Sequence, residues 1–364
     1  MIISTVKEIK AGENRVGLAP EGVKKLTSEG NKVLVERGAG IGSGFSDKDY
    51  EAAGAEMCSV EKAWAKTEMV VKVKEPLHSE FKYLREGLIV FTYLHLAAEP
   101  ELTRELLKNK TTGIAYETVE VKGKKILLTP MSEVAGRMSV QVGMHFLERT
   151  NGGSGKLLAG VSGVEPGTVT ILGSGVAGSN AARIAHGVGA NTIVIGISEN
   201  ELKELERKMP GLKTLMSTKE NIENSVTKSD LVVGTVAITG ASAPKLVTRE
   251  MVKKMKPGSV VVDISIDQGG SFETSRPTSH SSPTYVEEGI IHYCVTNMPG
   301  AVPNTSTKAL TNTTLPYILE ISKGFELSME SNPDLAKGIN TYKGKLTSEP
   351  VAKALGLKFE PSGF

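Results

Sequence analysis

The amino-acid sequence predicts an α/β protein with two domains. At 364 residues the chain is longer than one ordinary hydrophobic core, and its hydrophobic content of 39% and charged content of 23% are typical of a globular protein. β-rich and helical stretches alternate in two series, at 1–127 and at 168–297. Because such alternation is typical of parallel sheets covered by helices, each series predicts one sheet.

The first series contains short apolar runs, typical of strands, and stretches with the helical period of 3.6 residues. Its predicted strands are NKVLVERG, EMVVKVKEP and GLIVFTYLHL, and its predicted helices are EGVKKLTSEG and EPELTRELLKN. A long helical stretch follows at 132–149, with Ser132 as its predicted N-cap. This helix ends before the glycine pair of TNGGSG and is predicted to link the two domains.

The second series repeats the alternation and predicts a doubly wound sheet. In chain order it consists of strand TVTIL, a helix from Val176, strand TIVIGI, a helix from Glu199, strand DLVVGTV, helix REMVKKM, strand SVVVDIS and strand IIHYCV. From about residue 305 a further helical stretch, STKALTNTTLPYILEISKGFEL, leads into a polar tail. This last segment is predicted to have no sheet of its own and to pack back onto the first domain.

Charge, cysteine content and hydropathy argue against several classes of protein. Lys and Arg number 43 against 41 Asp and Glu, and the net charge of +2 gives no support for nucleic-acid binding. Cys58 and Cys294 form neither a CxxC motif nor a Cys/His cluster, so no disulfide framework and no metal site is predicted. Without a signal peptide or an apolar run of about 20 residues, we expect no membrane association and a cytoplasmic location.

A glycine-rich motif stands between the first strand and the first helix of the second series. In ILGSGVAGSNAARIAHGVG, Gly173, Gly175 and Gly178 satisfy GxGxxG. Gly173 permits a tight turn, Gly175 lets the backbone approach a pyrophosphate, and Gly178 allows close packing of helix against strand. The motif therefore predicts a Rossmann-like dinucleotide-binding domain. A second glycine-rich stretch, GAGIGSG, lacks the third glycine at this spacing and is predicted to be a turn.

The dinucleotide motif departs from its usual form at the end of the second strand. An Asp or Glu normally follows the glycine loop by about 20 residues and binds the ribose hydroxyls, but this position is Gly196. The missing carboxylate favours entry of a 2′-phosphate, whereas two nearby glutamates oppose it and the nearest cation is Lys203. NAD is therefore the predicted cofactor, with NADP as the alternative. Ser198, Glu199 or Asn200 is the predicted substitute for the ribose contact.

Four polar residues lie in or beside apolar or Gly/Pro-marked stretches. They are Arg15 in ENRVGLAP, Lys74 in VKVKEP, His95 in FTYLHLAAEP and Asp267 in VVVDISIDQGG. Taken singly, each has an ordinary structural interpretation, because a lone histidine at a strand end is more often a satisfied core residue and an alternating lysine is more often solvated. Their combination makes them candidates for chemistry.

Together with their flanking residues, these positions resemble the alanine dehydrogenase and pyridine nucleotide transhydrogenase family over almost the whole chain. The segments that carry the resemblance are ENRVGLAP, VKVKEP, TYLHLAAEPELT, AYETV, TPMSEVAGRMS, GVEPGTVTILGSGVAGSNAARIA, DQGGSFETSRPT, TNMPGAVPNTSTKALTNTTLPYILE and LTSEPVAKALGL. The resemblance implies two Rossmann-like, doubly wound domains with a substrate cleft between them. It implies a catalytic domain of 1–127 plus 305–364, an NAD-binding domain of 128–304, and a homohexamer.

The activity implied by the resemblance is the NAD-dependent, reversible oxidative deamination of L-alanine to pyruvate and ammonium. In it, Arg15 and Lys74 bind the substrate carboxylate and carbonyl oxygen, which suits a guanidinium fork and a compact ammonium. His95 is implied as the general acid/base at the substrate C2 oxygen, and Asp267 as the residue that orients ammonia or the iminium.

The resemblance also implies contacts with the cofactor. Besides Gly173, Gly175 and Gly178, the implied positions are Ser132, Val176, Ala177, Ser198, Ser217, Ala237, Ile238, Asn297 and Met298. The chain departs from the family where the usual ribose-binding Asp matches Gly196 and a nearby Lys matches Glu201.

Three other functions stay open at this point. The first is a transhydrogenase subunit that binds NAD without acting on a small substrate. The second is another amino or imino acid dehydrogenase with a larger pocket, and the third is an inactive NAD-binding scaffold. Lys74, His95 and the HLAAEP context favour the dehydrogenase over the transhydrogenase subunit, and the intact set of four polar residues argues against a scaffold.

Overall fold

The computed structural model describes residues 1–236 and 242–364, which form two compact units. The first unit comprises Met1–Met131 and Gly300–Phe364, and the second comprises Ser132–Pro299. The chain therefore leaves the first unit once and returns to it. The division into a catalytic domain and an NAD-binding domain stays a prediction.

Strands and helices alternate along most of the described chain. In chain order the strands are β1 (Ile2–Thr5), β2 (Lys32–Glu36), β3 (Glu56–Cys58), β4 (Met69–Val71), β5 (Ile89–Thr92), β6 (Thr112–Ala115), β7 (Thr168–Leu172), β8 (Asn191–Gly196), β9 (Lys213–Met216), β10 (Leu231–Gly234), β11 (Val260–Asp263), β12 (Thr284–Glu287), β13 (Ile290–Tyr293), β14 (Ile339–Tyr342) and β15 (Lys345–Leu346). The helices are α1 (Pro20–Ser28), α2 (Asp47–Ala52), α3 (Val60–Ala65), α4 (Pro100–Lys108), α5 (Thr129–Leu147), α6 (Val176–Gly187), α7 (Glu199–Lys208), α8 (Lys219–Val226), α9 (Arg249–Lys253), α10 (Pro303–Ile321), α11 (Phe325–Ser331), α12 (Pro333–Ala336) and α13 (Glu349–Leu355). The predicted α/β class is confirmed.

The sheet of the first unit has the strand order β15-β14-β6-β5-β4-β1-β2-β3. Strands β1 to β6 pair in parallel with their neighbours, whereas β14 runs antiparallel to β6 and β15 antiparallel to β14. The order reverses beside β1, because β2 lies on one side of it and β4 on the other. This is a doubly wound sheet, as predicted.

Apolar side chains cover both faces of this sheet. Along β4, Met69 and Val71 belong to one buried cluster, whereas Val70 between them belongs to another. The alternation follows from the two-residue period of a strand. It explains why all three residues of β4 are apolar, since a parallel strand is buried on both faces.

The C-terminal segment packs back into the first unit and has no sheet of its own, as predicted. It contributes two strands that were not predicted, because β14 and β15 extend the first sheet. Thr341 of β14 fixes the junction: its Oγ1 accepts a hydrogen bond from Gly113 N at 2.9 Å and donates one to Thr111 O at 2.9 Å. β14 forms by pairing with β6, and β15 forms by pairing with β14. The periodicity of the segment alone therefore does not predict these short strands.

The predicted start of the long helix is wrong. Helix α5 begins at Thr129 and ends at Leu147, and the boundary between the two units falls within it. Pro130 occupies the first turn, where its missing N–H leaves no helical hydrogen bond unmade. Ser132 therefore lies inside the helix and is not its N-cap.

The sheet of the second unit has the strand order β12-β13-β11-β10-β7-β8-β9, in which only β12 is antiparallel to its neighbour. The order reverses beside β7, which confirms the predicted doubly wound, Rossmann-like arrangement. Prediction from the sequence missed β9, α8 and β12. Both missed strands lie at sheet edges and are partly exposed, so they lack the apolar run that marks a buried strand.

Three smaller features concern membrane-spanning helices, the two cysteines and the second glycine-rich stretch. No helix of the described residues is both long and apolar enough to cross a membrane. Cys58 and Cys294 are buried free thiols. The stretch GAGIGSG forms turns and a 3-10 helix, Ile41–Ser43, as predicted for a glycine-rich segment without the dinucleotide spacing.

A buried ion cluster fixes the segment that follows β4. Lys72 is fully buried, and its Nζ lies 2.9 Å from Glu80 Oε1 and 3.2 Å from Glu8 Oε2. Burial disfavours the charged form, yet attraction to Glu8 and Glu80 raises the pKa of Lys72 above its ordinary value. Glu8 Oε1 also accepts hydrogen bonds from the backbone N–H groups of Val73, at 2.6 Å, and of Lys74, at 3.2 Å.

We expect Lys72→Met to lower the free energy of unfolding by about 3–5 kcal/mol, because it leaves two buried carboxylates without their cation. The matched control is Lys25→Met, which removes an exposed ion pair with Glu29 and is expected to cost at most about 0.5 kcal/mol. Urea unfolding followed by circular dichroism measures both changes. Equal, small losses in the two variants would show that the buried cluster does not stabilise the fold.

Candidate active site

Arg15 lies in the segment between β1 and α1 and is almost completely buried. Its Nε and Nη2 lie 2.7 Å and 2.5 Å from the two carboxylate oxygens of Glu13, and its Nη1 lies 3.0 Å from Met131 Sδ. This bidentate pair fixes the plane of the guanidinium group. Glu13 was not singled out in the sequence, because a glutamate two residues away does not by spacing indicate a partner.

Lys74 follows β4 and is half-buried. Burial, together with the positive charge of Arg15, lowers the pKa of Lys74. Arg15 and Lys74 repel each other, and a bound anion would offset this repulsion. The pair therefore favours an anionic ligand.

His95 follows β5 and adopts a left-handed backbone conformation, with φ of 50°. Non-glycine residues rarely occupy this region, and such positions occur preferentially at functional sites. Glu117 holds the conformation: its Oε1 accepts hydrogen bonds from the N–H groups of His95, at 2.6 Å, and of Leu94, at 3.2 Å. The imidazole itself is about half exposed.

Glu75 stands beside the His95 imidazole. His95 Nδ1 lies 3.6 Å from Glu75 Oε2, and Glu75 Oε1 pairs with Lys10. Burial favours the protonated acid, but the interactions with His95 and Lys10 outweigh it and lower the pKa of Glu75 to about 2. Oε2 is buried and has no hydrogen-bond partner within 3.5 Å among the described residues. A buried, ionised oxygen of this kind is suited to stabilise a positive charge on the imidazole.

These residues are brought together by the topology of the first unit. Arg15, Lys74, His95 and Glu117 follow β1, β4, β5 and β6, which are consecutive neighbours in the sheet. The carboxyl ends of parallel strands meet at one edge, and the reversal of strand order beside β1 opens a crevice there. Arg15, Lys74 and His95 therefore lie at the same edge of this sheet, and Asp267 belongs to the other unit.

The glycine loop of the second unit connects β7 to α6. Gly173 has φ of 114°, a conformation that favours glycine, and a Cβ built there would overlap Thr235 Oγ1. A Cβ on Gly178 would overlap the carbonyl oxygen of Gly173, so the helix packs directly on the turn. Gly175 is the N-cap of α6, and no described heavy atom outside its neighbours lies within 4 Å of a Cβ built on it. The loop thus presents backbone N–H groups at a helix N-terminus, which suits a pyrophosphate.

Gly196 ends β8 beside this loop. A Cβ on Gly196 would lie 2.7 Å from Ser174 Oγ, and Gly196 O accepts a hydrogen bond from Ser217 N at 2.8 Å. Ser198 is the N-cap of α7, because its side chain accepts a hydrogen bond from Glu201 N at 3.4 Å. The ends of β7, β8 and β9 therefore gather the glycine loop, Ser198 and Ser217 at one edge of the sheet.

Asp267 is exposed and lies on a largely buried 3-10 helix, Ile264–Gln268, that follows β11. Asp263 ties this segment down: its carboxylate accepts hydrogen bonds from Ser265 N at 3.1 Å, Ser271 N at 2.7 Å and Ser275 Oγ at 2.6 Å. Burial raises the pKa of Asp263 despite these hydrogen bonds. The two aspartates of VVVDISID thus differ in kind, since one is buried and structural and the other projects into solvent.

The remaining predicted cofactor positions are spread over the second unit. Ser132 lies in α5, Val176 and Ala177 begin α6, and Met298 is buried in a 3-10 helix, Met298–Ala301. Asn297 has φ of 58°, and its carbonyl oxygen lies 3.2 Å from His280 Nε2. Ala237 and Ile238 lie outside the described residues. Among the residues that are described, no group of three or more His, Cys, Asp or Glu side chains is arranged to hold a metal ion.

The structure adds three carboxylates that prediction from the sequence did not identify. Glu13 orients Arg15, Glu75 faces His95, and Glu117 holds the His95 backbone. In the sequence, Glu75 stands between the candidate Lys74 and a proline, and this position is only weak evidence of a functional role. For Glu117 the signal in the sequence is weaker still, because it lies 22 residues from the histidine it supports.

Comparisons with known proteins cover the whole chain. Residues 4–135 match the family described as Alanine dehydrogenase/PNT, N-terminal domain, and residues 139–349 match Alanine dehydrogenase/PNT, C-terminal domain. An alanine dehydrogenase of Staphylococcus haemolyticus is 56% identical over 363 residues, which cover 99% of this chain and 97% of that protein. An alanine dehydrogenase of Methanococcus maripaludis is 54% identical over 367 residues, covering 100% of this chain and 98% of that protein.

A solved structure of an L-alanine dehydrogenase has a TM-score of 0.95 and 47% sequence identity, and the match covers 98% of this chain and 99% of that chain.

We expect the stability contributed by Glu75 to depend on pH. Its pKa of about 2 in the folded protein is below its ordinary value of 4.5. Folding therefore favours the ionised form, and the contribution is present above about pH 4.5 and is lost as the pH falls towards 2. The urea concentration at the unfolding midpoint should be higher for the wild type than for Glu75→Gln at neutral pH. This difference should shrink as the pH is lowered to about 3.

The control for this measurement is Glu86→Gln, which changes an exposed carboxylate paired with Lys110 at 3.2 Å. It is expected to alter the midpoint little at any pH. A gap between wild type and Glu75→Gln that stays constant on acidification would mean that the ionised carboxylate does not stabilise the fold.

Proposed function

The chain belongs to the alanine dehydrogenase/PNT family, and from this we propose that it catalyses the reversible oxidative deamination of L-alanine. The reaction consumes L-alanine, NAD⁺ and water and yields pyruvate, ammonium, NADH and a proton. The observation that carries the proposal is the grouping of Arg15, Lys74 and His95 at the carboxyl ends of β1, β4 and β5. An anion-binding pair beside a proton-transfer group is what a 2-amino or 2-oxo acid requires.

Arg15 and Lys74 bind the acid in this proposal. Glu13 holds the Nε–Nη2 edge of Arg15 and so fixes the orientation of the guanidinium group that is proposed to meet the substrate carboxylate. Lys74 supplies a compact ammonium for the carbonyl oxygen, and its lowered pKa reflects a charge that an anionic substrate stabilises. The two cations thus orient C2 of the substrate.

His95 moves protons at the C2 oxygen in this proposal. Glu75 lies on the Nδ1 side of the ring, which favours the tautomer with its proton on Nδ1 and leaves Nε2 for the substrate. When water attacks the imine, the imidazole takes a proton, and the ionised Glu75 stabilises the resulting positive charge. Asp267 is proposed to orient the departing ammonia through its exposed carboxylate.

The second unit is suited to hold a pyridine nucleotide. A Cβ would fill the space in front of Gly175, and the first turn of α6 has no side-chain cap. A nicotinamide held there would supply the hydride acceptor for the substrate Cα. We propose the glycine loop, Ser132, Val176, Ala177, Ser198, Ser217, Asn297 and Met298 as its contacts, with Ala237 and Ile238 outside the described residues.

NAD over NADP is our proposal for the cofactor. It is supported by Glu201 in the first turn of α7, whose carboxylate opposes a 2′-phosphate, whereas the charge of Glu199 in the same turn is paired with Lys203. The homohexamer, the cytoplasmic location and the substrate cleft between domains stay predictions that the family resemblance implies.

A transhydrogenase-like function is the second candidate. A transhydrogenase structure from Sinorhizobium meliloti has a TM-score of 0.83 and 25% sequence identity, and the match covers 96% of this chain and 99% of that chain. The paired His95 and Glu75 in the first unit favour an enzyme that acts on a small acid, because a cofactor-binding subunit needs no proton-transfer group there.

The deciding experiment is steady-state reductive amination by the purified chain. We expect NADH oxidation that requires both pyruvate and ammonium, with a longer 2-oxo acid reacting more slowly and NADPH serving poorly. A preference for the longer acid would indicate a different amino acid dehydrogenase. Binding of NADH without turnover of any 2-oxo acid would support the transhydrogenase-like function instead.

We expect His95→Ala to lower kcat by about 100-fold or more, the usual effect of losing a general acid/base, while NADH binding persists. NADH fluorescence titration measures cofactor binding, and steady-state assays measure kcat. The matched control is His78→Ala, which removes an exposed histidine that likewise lies 3.6 Å from a glutamate, Glu101. Wild-type turnover in His95→Ala, or equal losses in both variants, would exclude the proposed role.

A further inference from the structure

A carboxylate of helix α7 points back at the glycine loop. Glu201 lies in the first turn of α7, and its Oε2 accepts a hydrogen bond from Ser174 Oγ at 2.5 Å. Ser174 stands between Gly173 and Gly175, the first two glycines of the GxGxxG motif. Glu201 is therefore held against the loop at which a dinucleotide motif binds its cofactor.

Gly196 makes room for this contact. A Cβ on Gly196 would lie 2.7 Å from Ser174 Oγ, 3.0 Å from Ser174 Cβ and 3.1 Å from Leu202 Cδ2. A side chain at this position would have to displace the serine whose hydroxyl binds Glu201. The glycine at the end of β8 and the carboxylate in α7 are thus parts of one arrangement.

The neighbouring acid is engaged differently. Glu199 Oε1 lies 2.6 Å from Lys203 Nζ on the exposed surface of the helix. Glu201 takes part in no ion pair within residues 1–236 and 242–364, and its partner is the neutral Ser174 hydroxyl. The negative charge at the glycine loop therefore belongs to Glu201.

Exposed apolar side chains lie at the ends of the same strands. Ile197, which directly follows β8, is 84% exposed, and Met216, the last residue of β9, is 44% exposed. Gly196 and Met216 are partners in the pairing of β8 with β9. Apolar side chains beside a carboxylate suit an adenosine, whose base is flat and whose ribose carries two hydroxyl donors.

We propose that Glu201 binds the ribose hydroxyls of the adenosine half of the cofactor and selects NAD(H) against NADP(H). The inference rests on the proposed function, since it concerns the cofactor of that reaction. A carboxylate accepts hydrogen bonds from ribose hydroxyls, whereas a 2′-phosphate would place like charges together. The acid usual at the end of the second strand is supplied here from the first turn of the next helix.

The test is the ratio of NADPH to NADH dissociation constants, measured by fluorescence titration with the full chain. We expect the wild type to bind NADH at least about tenfold more tightly, the scale of one charge-assisted hydrogen bond. Glu201→Gln should lower that ratio about tenfold, by weakening NADH and improving NADPH. Glu201→Asp keeps the charge on a shorter side chain and should retain most of the ratio.

Two further variants locate the effect. Glu204→Gln changes an exposed glutamate of the same helix, which is paired with Arg207, and should leave the ratio unchanged. Glu199→Gln should also leave it unchanged, and a fall in the ratio there instead would overturn the assignment to Glu201. Thermal melting of each variant establishes that the fold is retained, and if Glu201→Gln does not fold, Glu201→Ala takes its place, with the same expected fall in the ratio.

Alanine oxidation by the wild type, assayed in parallel, separates this inference from the proposed function. If the wild type turns over alanine and Glu201→Gln keeps the wild-type ratio within about twofold, the inference is wrong and the proposed function stands. If the wild type does not oxidise alanine, the proposed function fails, and the binding ratios still decide which carboxylate meets the ribose.

Discussion

The reversal of strand order beside one strand of each sheet is the constraint on which the rest of the structure depends. In the first unit the reversal lies at β1, and in the second it lies at β7. Connections from neighbouring strands diverge to opposite faces at such a point, so the carboxyl ends are left uncovered. Arg15 and Lys74 follow the two strands that flank the first reversal, and the glycine loop follows the strand at the second.

Carboxylates hold the side chains and the backbone at the ends of these strands in place. Glu13 holds the guanidinium of Arg15, and Glu117 holds the His95 backbone in a conformation that a free peptide seldom adopts. Glu75 remains ionised well below neutral pH, and Asp263 secures the segment that carries Asp267. Three of the four candidate residues, Arg15, His95 and Asp267, are thus supported by neighbouring acids, and pre-organisation of this kind is a general requirement for catalysis.

Elements with a strong local signal were predictable. The buried parallel strands and the helices after Gly175 and Ser198 were found because burial on both faces and helix caps leave local patterns. The edge strands β9, β12 and β15 were missed, as was β14 beside β15, since strands at or next to a sheet edge are defined by their partners and not by their own periodicity. Ser132 was misplaced as a cap because Pro130 allows the helix to begin one turn earlier.

The sequence by itself determined the α/β class, the glycine loop, and the four polar residues whose motifs carry the family resemblance, because these features are local in the chain. The tertiary structure alone decided which acids support them, since Glu75 meets His95 across neighbouring strands and Glu117 reaches it over 22 residues. It also identified Glu201 as the candidate for the role of the acid that is missing at Gly196. That carboxylate comes from a helix, and only the folded chain brings it within 2.5 Å of Ser174.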